Sequence, residues 1–198
     1  MQAWSPAHQH RGVVILGVLM LLILAAISIF AATPITVNAE LERNKRSVTA
    51  LAIAREALVA YAVSNVTPGR FPCPEDTSPG IAEGTAKTNC SNSSIEIGRL
   101  PWRSLKIGKV VDGHGEPLWY ALSPGFRDPP INSDSVGKIK VDGADNAAVA
   151  LVISAGPPLP GQNRSSPTIL AANYLDGLNA IGSEFVTQSA ANEFNDRV

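Results

Sequence analysis

The hydrophobic pattern begins with an apolar run, residues 13–32, that contains no charged side chain. At about 1.5 Å of helical rise per residue, a run of this length can cross the hydrocarbon core of a bilayer. The apolar core of a cleaved signal peptide is shorter than this. The run therefore predicts a single transmembrane helix that contacts the lipid bilayer.

An amphipathic pattern follows, which predicts that the helix continues as residues 33–66. Spacings of 7, 3, 7 and 3 place the larger apolar side chains on one helical face: Leu41, Val48, Leu51, Leu58 and Tyr61. Pro34 removes a helical hydrogen bond, so we expect a kink at this residue. Pro68 and Gly69 then end the helix. Its apolar face is expected to cover the region that follows.

That region, residues 67–198, has the pattern of a small β-rich head. Frequent prolines exclude long regular elements before residue 104. The apolar run Ala147–Ser154 is the best candidate for a central strand. Further strands are predicted at Lys109–Val111, at Leu118–Leu122 and at Gly137–Asp142, with a turn between the first two. The expected fold class is α+β, with one long N-terminal helix packed on a small antiparallel sheet.

Composition limits the possible partners and chemistry. The net charge of −1 gives no general electrostatic attraction to nucleic acid. The two cysteines, Cys73 and Cys90, lie outside any C-x-x-C motif, which leaves a zinc site unsupported. If the head lies outside the cytoplasm, these cysteines can form a disulfide worth about 3 kcal/mol. In a reducing compartment they would remain two free thiols.

Catalytic and metal-binding motifs are absent from the sequence. His114 lies in a glycine-flanked turn, and no motif connects it with a nucleophile. Asp142 and Asp145 flank Gly143 in a segment that could offer oxygen ligands to calcium. The segment lacks the length and charge of an EF-hand loop, which favours an ordinary polar turn. We therefore expect neither an enzyme nor a bound cofactor or metal.

The organisation resembles that of type IV pilins and, more closely, of the pseudopilins of type II secretion. A polar leader, residues 1–12, ends in Gly12, and Pro34 lies 21 residues after Val13. The run Ala147–Ser154 is similar to a sheet strand of that family. Similarity to the head hairpin of major pseudopilins rests on Asp112, Gly115, Pro117, Tyr120, Pro124 and Gly125.

This resemblance implies processing and assembly. Prepilin peptidase would cleave after Gly12, the new amino terminus at Val13 would be methylated, and the helix would pack into a filament core. Other pilin-like subunits and an inner-membrane assembly platform would be the partners. Val13 stands where the family usually has phenylalanine or methionine, and Gly17 stands where it usually has glutamate. These departures resemble minor or atypical pseudopilins, including those that cap the tip.

Orientation is where two sequence arguments differ. Lys and Arg are more numerous after the apolar run (Arg43, Lys45 and Arg46) than before it (Arg11), which favours a cytoplasmic head. The resemblance implies the opposite: a single-pass protein of the bacterial inner membrane with a cytoplasmic amino terminus and a periplasmic head.

An uncleaved, membrane-anchored periplasmic binding or scaffold protein is the alternative function, and a tethered enzyme is a third.

Overall fold

The computed structural model describes the backbone of residues 9–128, 130–188 and 194–198. It describes side chains for the same residues, except that those of residues 9–11 and 27–37 lie outside the description. The chain divides into two compact units, Met1–Glu42 and Arg43–Val198. Helix α1, Gln9–Ser64, begins in the first unit and ends in the second.

The first unit contains an exposed apolar stretch of α1. The larger apolar side chains from Val13 to Leu24 have exposed fractions between 50% and 69%. By length and composition, Asn38–Ser64 is the one candidate membrane span among the described residues, and Gly12–Ala26 is a shorter apolar stretch. The side chains of residues 27–37, which include the end of the predicted span and Pro34, lie outside the description. The kink at Pro34 therefore stays a prediction.

The second unit combines the end of α1 with two small antiparallel sheets, which confirms the α+β class. The strands are β1 (Glu96–Arg99), β2 (Trp119–Leu122), β3 (Ile139–Val141), β4 (Ala144–Ala148) and β5 (Ala150–Ile153). A three-stranded sheet has the order β1-β2-β5, and β3 pairs with β4. After the strands come a 3₁₀ helix, Ala171–Asn173, and a short helix α2, Gly177–Ile181.

Strand β2, and not the run Ala147–Ser154, is central. All four residues of β2 are buried, and Tyr120 lies opposite Gly98 of β1 and Val152 of β5. The prediction of one central strand at Ala147–Ser154 was wrong, because a bend at Val149 divides this run between β4 and β5. β5 is an edge strand of the three-stranded sheet.

Two further differences between the predicted and the observed structure concern short strands. Lys109–Val111 was predicted as a strand, but only Val111 forms an isolated bridge, with Pro117. Lys109 and Val110, the other residues of the prediction, are not in a strand. β1 lies in the region predicted to be irregular, where neighbouring prolines obscure a strand of four residues.

Small residues form the buried face of α1 in the second unit. Ala50, Ala54 and Ala57 pack with Leu58 into one core cluster. This cluster continues with Leu118, Tyr120 and Leu122 of the sheet region. Leu51 and Tyr61 are half-buried, whereas Val48 and Leu41 of the predicted face are 57% and 63% exposed. A second cluster, on the other face of the sheet, includes Trp119, Ile139, Ile153, Tyr174, Leu175 and Phe185.

Candidate functional site

The apolar stretch Gly12–Ala26 is the first candidate interaction surface. Its side chains are exposed throughout the stretch. Gly12 and Gly17 have no heavy atom within 4 Å of the position that a Cβ would occupy. The proposed processing residues, Gly12 and Val13, thus lie within α1 on an exposed apolar helix. A surface of this kind is compatible with lipid or with another apolar helix.

Asp112 organises the turn that the sequence singled out. Its buried carboxylate accepts hydrogen bonds through Oδ1 from the backbone N–H groups of His114 (2.8 Å) and Glu116 (2.9 Å). Oδ2 accepts from the Ser154 hydroxyl (2.9 Å) and the Gly156 N–H (3.1 Å). Four donors offset the cost of burying a carboxylate. One side chain therefore holds the turn and attaches it to the end of β5.

Gly113 brings the same turn against the backbone of α1. Its N–H donates to the Ser47 hydroxyl at 2.9 Å. A Cβ added at Gly113 would lie 1.9 Å from the backbone oxygen of Arg43. Only glycine fits this contact without a shift of the helix or the turn. Arg197 adds a second attachment by donating from Nη2 to the Asn44 side-chain oxygen at 2.8 Å.

The other residues of the predicted hairpin have separate structural roles. Gly115 has a φ of 83°, which the turn requires and which favours glycine. The Tyr120 hydroxyl donates to the Pro72 carbonyl at 3.1 Å, and burial raises the pKa of Tyr120 well above its usual range. Pro124 and Gly125 follow β2, and the Gly125 N–H donates to the Asn92 side chain at 3.0 Å. These contacts stabilise the head rather than form a reaction centre.

A disulfide between Cys73 and Cys90 closes the proline-rich loop, with a Cα–Cα distance of 5.9 Å. Arg127 supports the end of this loop. Its Nη1 donates to the Cys90 carbonyl at 2.7 Å, and its Nη2 donates to the Asn89 side chain at 2.6 Å. The loop is therefore held by covalent and charge-assisted contacts in place of a regular element.

Glu75 is a buried acid within the disulfide loop that sequence reasoning missed. Its carboxylate accepts a hydrogen bond from the Gly84 N–H. Burial raises the pKa of Glu75, while this hydrogen bond opposes the shift. The Trp102 ring covers Gly84 so closely that a Cβ there would lie 2.3 Å from the ring. Glu75, Gly84 and Trp102 are well separated in the sequence, and no local sequence pattern predicts that they are in contact.

A second missed cluster surrounds Asp176 and Asp196 near the carboxyl-terminal residues. Asp176 accepts from Gln162 Nε2 (2.7 Å) and from the Asn195 N–H (2.7 Å). Asp196 Oδ2 accepts from the Asp176 N–H (2.8 Å) and from Asn179 Nδ2 (3.0 Å). Oδ1 of Asp196 is buried and has no hydrogen-bond partner among the residues that the structure describes. Burial, with the neighbouring Asp176 charge, raises the pKa of Asp196 from 3.8 to about 7.

The remaining residues that were considered for metal binding or catalysis, Asp142, Asp145 and His114, do not form a common site. Asp142 accepts hydrogen bonds from the Thr187 N–H and hydroxyl, which lower its pKa. Asp145 lies within 3.9 Å of the Lys140 ammonium instead. Within residues 9–128, 130–188 and 194–198, no group of three or more His, Cys, Asp or Glu side chains could hold a metal ion. His114 has a buried Nδ1 without a hydrogen-bond partner.

Comparison with known proteins adds no relative to this description. No family model, no curated protein and no solved structure matches the chain. The features of the molecule that bear on its function are the exposed apolar part of α1, the disulfide-closed head and the contacts between Arg43–Ser64 and that head.

Proposed function

We propose that the protein is a non-enzymatic, membrane-anchored subunit of a pilus-like or pseudopilus-like filament, assembled through its N-terminal helix. One observation carries the proposal. The apolar residues Val13–Leu24 are at least 50% exposed, on the same helix whose later residues form the alanine-rich face of a folded head. An apolar surface of this size in water would promote association. Lipid, or a bundle of identical helices, would cover it.

The proposed mechanism is transfer of the helix from lipid to neighbouring subunits. In lipid there is little hydrophobic drive for helix association, so close packing between small residues becomes important. Gly17, Ala25 and Ala26 are exposed and supply such positions on this stretch of α1. Prepilin peptidase would release Val13 as the amino terminus before assembly. Other pilin-like subunits and an inner-membrane platform are the proposed partners.

A periplasmic head is part of the proposal. Disulfides persist in oxidising compartments such as the bacterial periplasm, and the Cys73–Cys90 bond supports that location. The leader would then lie in the cytoplasm. The distribution of lysine and arginine favours the opposite orientation, because Arg43, Lys45 and Arg46 follow the apolar run and Arg11 alone precedes it.

Assembly can be tested by substitution at Gly17. Leucine at Gly17 would prevent close helix approach while it preserves the apolar character needed for membrane insertion. We expect Gly17→Leu to remain in the membrane fraction and to disappear from sheared filaments. Met20→Leu, at another exposed apolar position, is the matched control and should assemble normally. Absence of the unsubstituted protein from every filament preparation would contradict the proposal.

An uncleaved periplasmic anchor or scaffold is the second candidate. Val13 and Gly17 favour it, because both differ from the residues typical of processed pilins at these positions. In this case the apolar stretch would only hold the head at the membrane. The two candidates predict different mature amino termini, Val13 for the filament subunit and Met1 for the anchor.

A further inference from the structure

One edge of strand β5 is open between Ala150 and Val152. The Ser123 N–H donates a hydrogen bond to the Val149 carbonyl. Together with the register of β2 and β5, this bond shows which residues of β5 are hydrogen-bonded to β2. In an antiparallel pair only alternate residues bond to a given neighbour. Val149, Leu151 and Ile153 therefore bond towards β2. The N–H and C=O groups of Ala150 and Val152 point to the other side, where no described strand lies.

Ser154, which directly follows β5, forms an isolated antiparallel bridge on the same side. Ser154 and Arg197 exchange two backbone hydrogen bonds of 2.8 and 2.9 Å in antiparallel orientation. If that pairing continued, the position opposite Val152 would be two residues beyond Arg197, past Val198. Among the residues that the structure describes, the C-terminal segment pairs with Ser154, and none pairs with Ala150 or Val152 on this side. This bridge indicates the antiparallel direction in which a further strand would pair with β5.

A groove runs beside the open edge. Its cavity volume is about 460 Å³, and its walls are the β5 edge on one side and α1 on the other. The lining residues are mostly apolar and include Leu51, Leu58, Val59, Phe71, Val152 and Val198. Arg55 is the single charged residue among the lining residues. It makes no ion pair with the part of the chain that the structure describes.

We propose that this edge and groove bind an extended segment of a partner protein by β-strand addition. The segment would run antiparallel to β5, as Asn195–Val198 does at Ser154. Alternate apolar side chains would enter the groove, and an acidic residue would reach Arg55. Main-chain hydrogen bonds provide affinity in this mode, and side-chain pockets provide specificity. The inference concerns the head alone and does not depend on filament assembly.

A peptide fits these features better than an acyl chain does. The groove is apolar enough for a lipid tail, but a hydrocarbon cannot satisfy the N–H and C=O groups of Ala150 and Val152. An unpaired strand edge is a template for another strand. The unpaired cation at Arg55 also has a natural counterpart in an acidic peptide side chain.

The test uses the full chain in phosphatidylcholine nanodiscs and a labelled probe peptide, Glu-Val-Thr-Val-Thr-Val-Glu. We expect saturable binding by fluorescence anisotropy and slower amide hydrogen exchange at Ala150 and Val152. The same peptide with N-methyl groups on the edge-facing amides should bind at least tenfold more weakly. Arg55→Gln should weaken binding severalfold, and Arg46→Gln, elsewhere on α1, should leave it unchanged.

A second experiment covers the free edge of β5 with an extension of the protein's own chain. A Val-Thr-Val extension after Val198 would continue the Arg197 pairing past Val152 and Ala150, so it should block the probe. A Pro-Thr-Pro extension of equal length lacks the N–H groups at the two pairing positions and should not block it. Equal binding of the N-methylated peptide, displacement of the probe by dodecanoate, or no binding at about 1 mM peptide would overturn the inference.

Discussion

At the scale of single residues, Asp112 and Gly113 hold the head against α1 through adjacent contacts. Asp112 satisfies four donors from its own turn and from the end of β5. Gly113 then allows the turn to approach the backbone at Arg43. The sequence indicated a turn here through its glycines, but it carried no signal that the turn would contact the helix.

Alanine at Gly113 should destabilise the protein because the added Cβ would overlap the Arg43 carbonyl. Relief of this overlap requires the turn to move and weakens the bond to Ser47. We expect a loss of about 2–3 kcal/mol in the free energy of unfolding, as for overpacked sites. Urea unfolding followed by tryptophan fluorescence measures it. Gly108→Ala, where nothing lies within 4 Å of the added Cβ, is the matched control. An unchanged midpoint for Gly113→Ala would contradict the contact.

Asp196 should make stability depend on pH. Its folded-state pKa is raised to about 7, above the ordinary 3.8, so the folded protein binds the proton more tightly than the unfolded chain. The resulting stabilisation is complete below pH 4 and is lost as pH rises through 7. Asp176 and Arg164 are the charged groups that act on it.

The Asp196→Asn variant removes this titration and keeps an acceptor for the Asp176 N–H. We expect it to be more stable than the unsubstituted protein at pH 8 by about 1–3 kcal/mol. Below pH 4 the difference should shrink. Urea midpoints measured from pH 4 to pH 8 test this, and parallel pH profiles for the two proteins would show that Asp196 does not titrate in this range.

At the scale of elements, the disulfide loop takes the place of regular structure between α1 and β1. The Cys73–Cys90 bond closes a loop across a sequence separation of 17. Glu75, Arg127 and Trp102 add contacts within and beside the loop. Stability in this region should therefore depend strongly on the covalent bond.

Replacing both cysteines, Cys73→Ala with Cys90→Ala, should lower the free energy of unfolding by about 3 kcal/mol, because the unfolded chain gains freedom. Thermal unfolding with and without reductant provides the measurement. Reductant should lower the midpoint of the unsubstituted protein and leave that of the double variant unchanged. Equal midpoints for the two proteins without reductant would show that the bond contributes nothing.

The hydrophobic pattern was sufficient for the long helix and for the position of β2. It failed where short strands and small residues decide the structure. Ala147–Ser154 is a continuous apolar run, yet β2 has two strand neighbours and this run is divided at Val149. The larger apolar residues of α1 suggested its buried face, whereas Ala50, Ala54 and Ala57 allow the closer approach to the sheet. The carboxylates of Asp176 and Asp196 meet through tertiary contacts that no local pattern encodes.

At the scale of the whole molecule, the chain combines an exposed apolar stretch of helix with a head that has its own hydrophobic core. The head has two core clusters on the two sides of the three-stranded sheet, and its polar residues stabilise turns and loops. The larger apolar side chains from Val13 to Leu24 are at least 50% exposed. We propose that lipid or other subunits cover these side chains, and that a pool held in the membrane supplies the assembly.

The residue at the mature amino terminus distinguishes a processed filament subunit from an uncleaved anchor. Intact-mass and amino-terminal peptide analysis of the protein from bacterial membranes, with and without an active prepilin peptidase, distinguishes the processed subunit from the anchor. The account predicts a mature chain that begins at methylated Val13 only when the peptidase is active. A chain that retains Met1 in the presence of the active peptidase would contradict it.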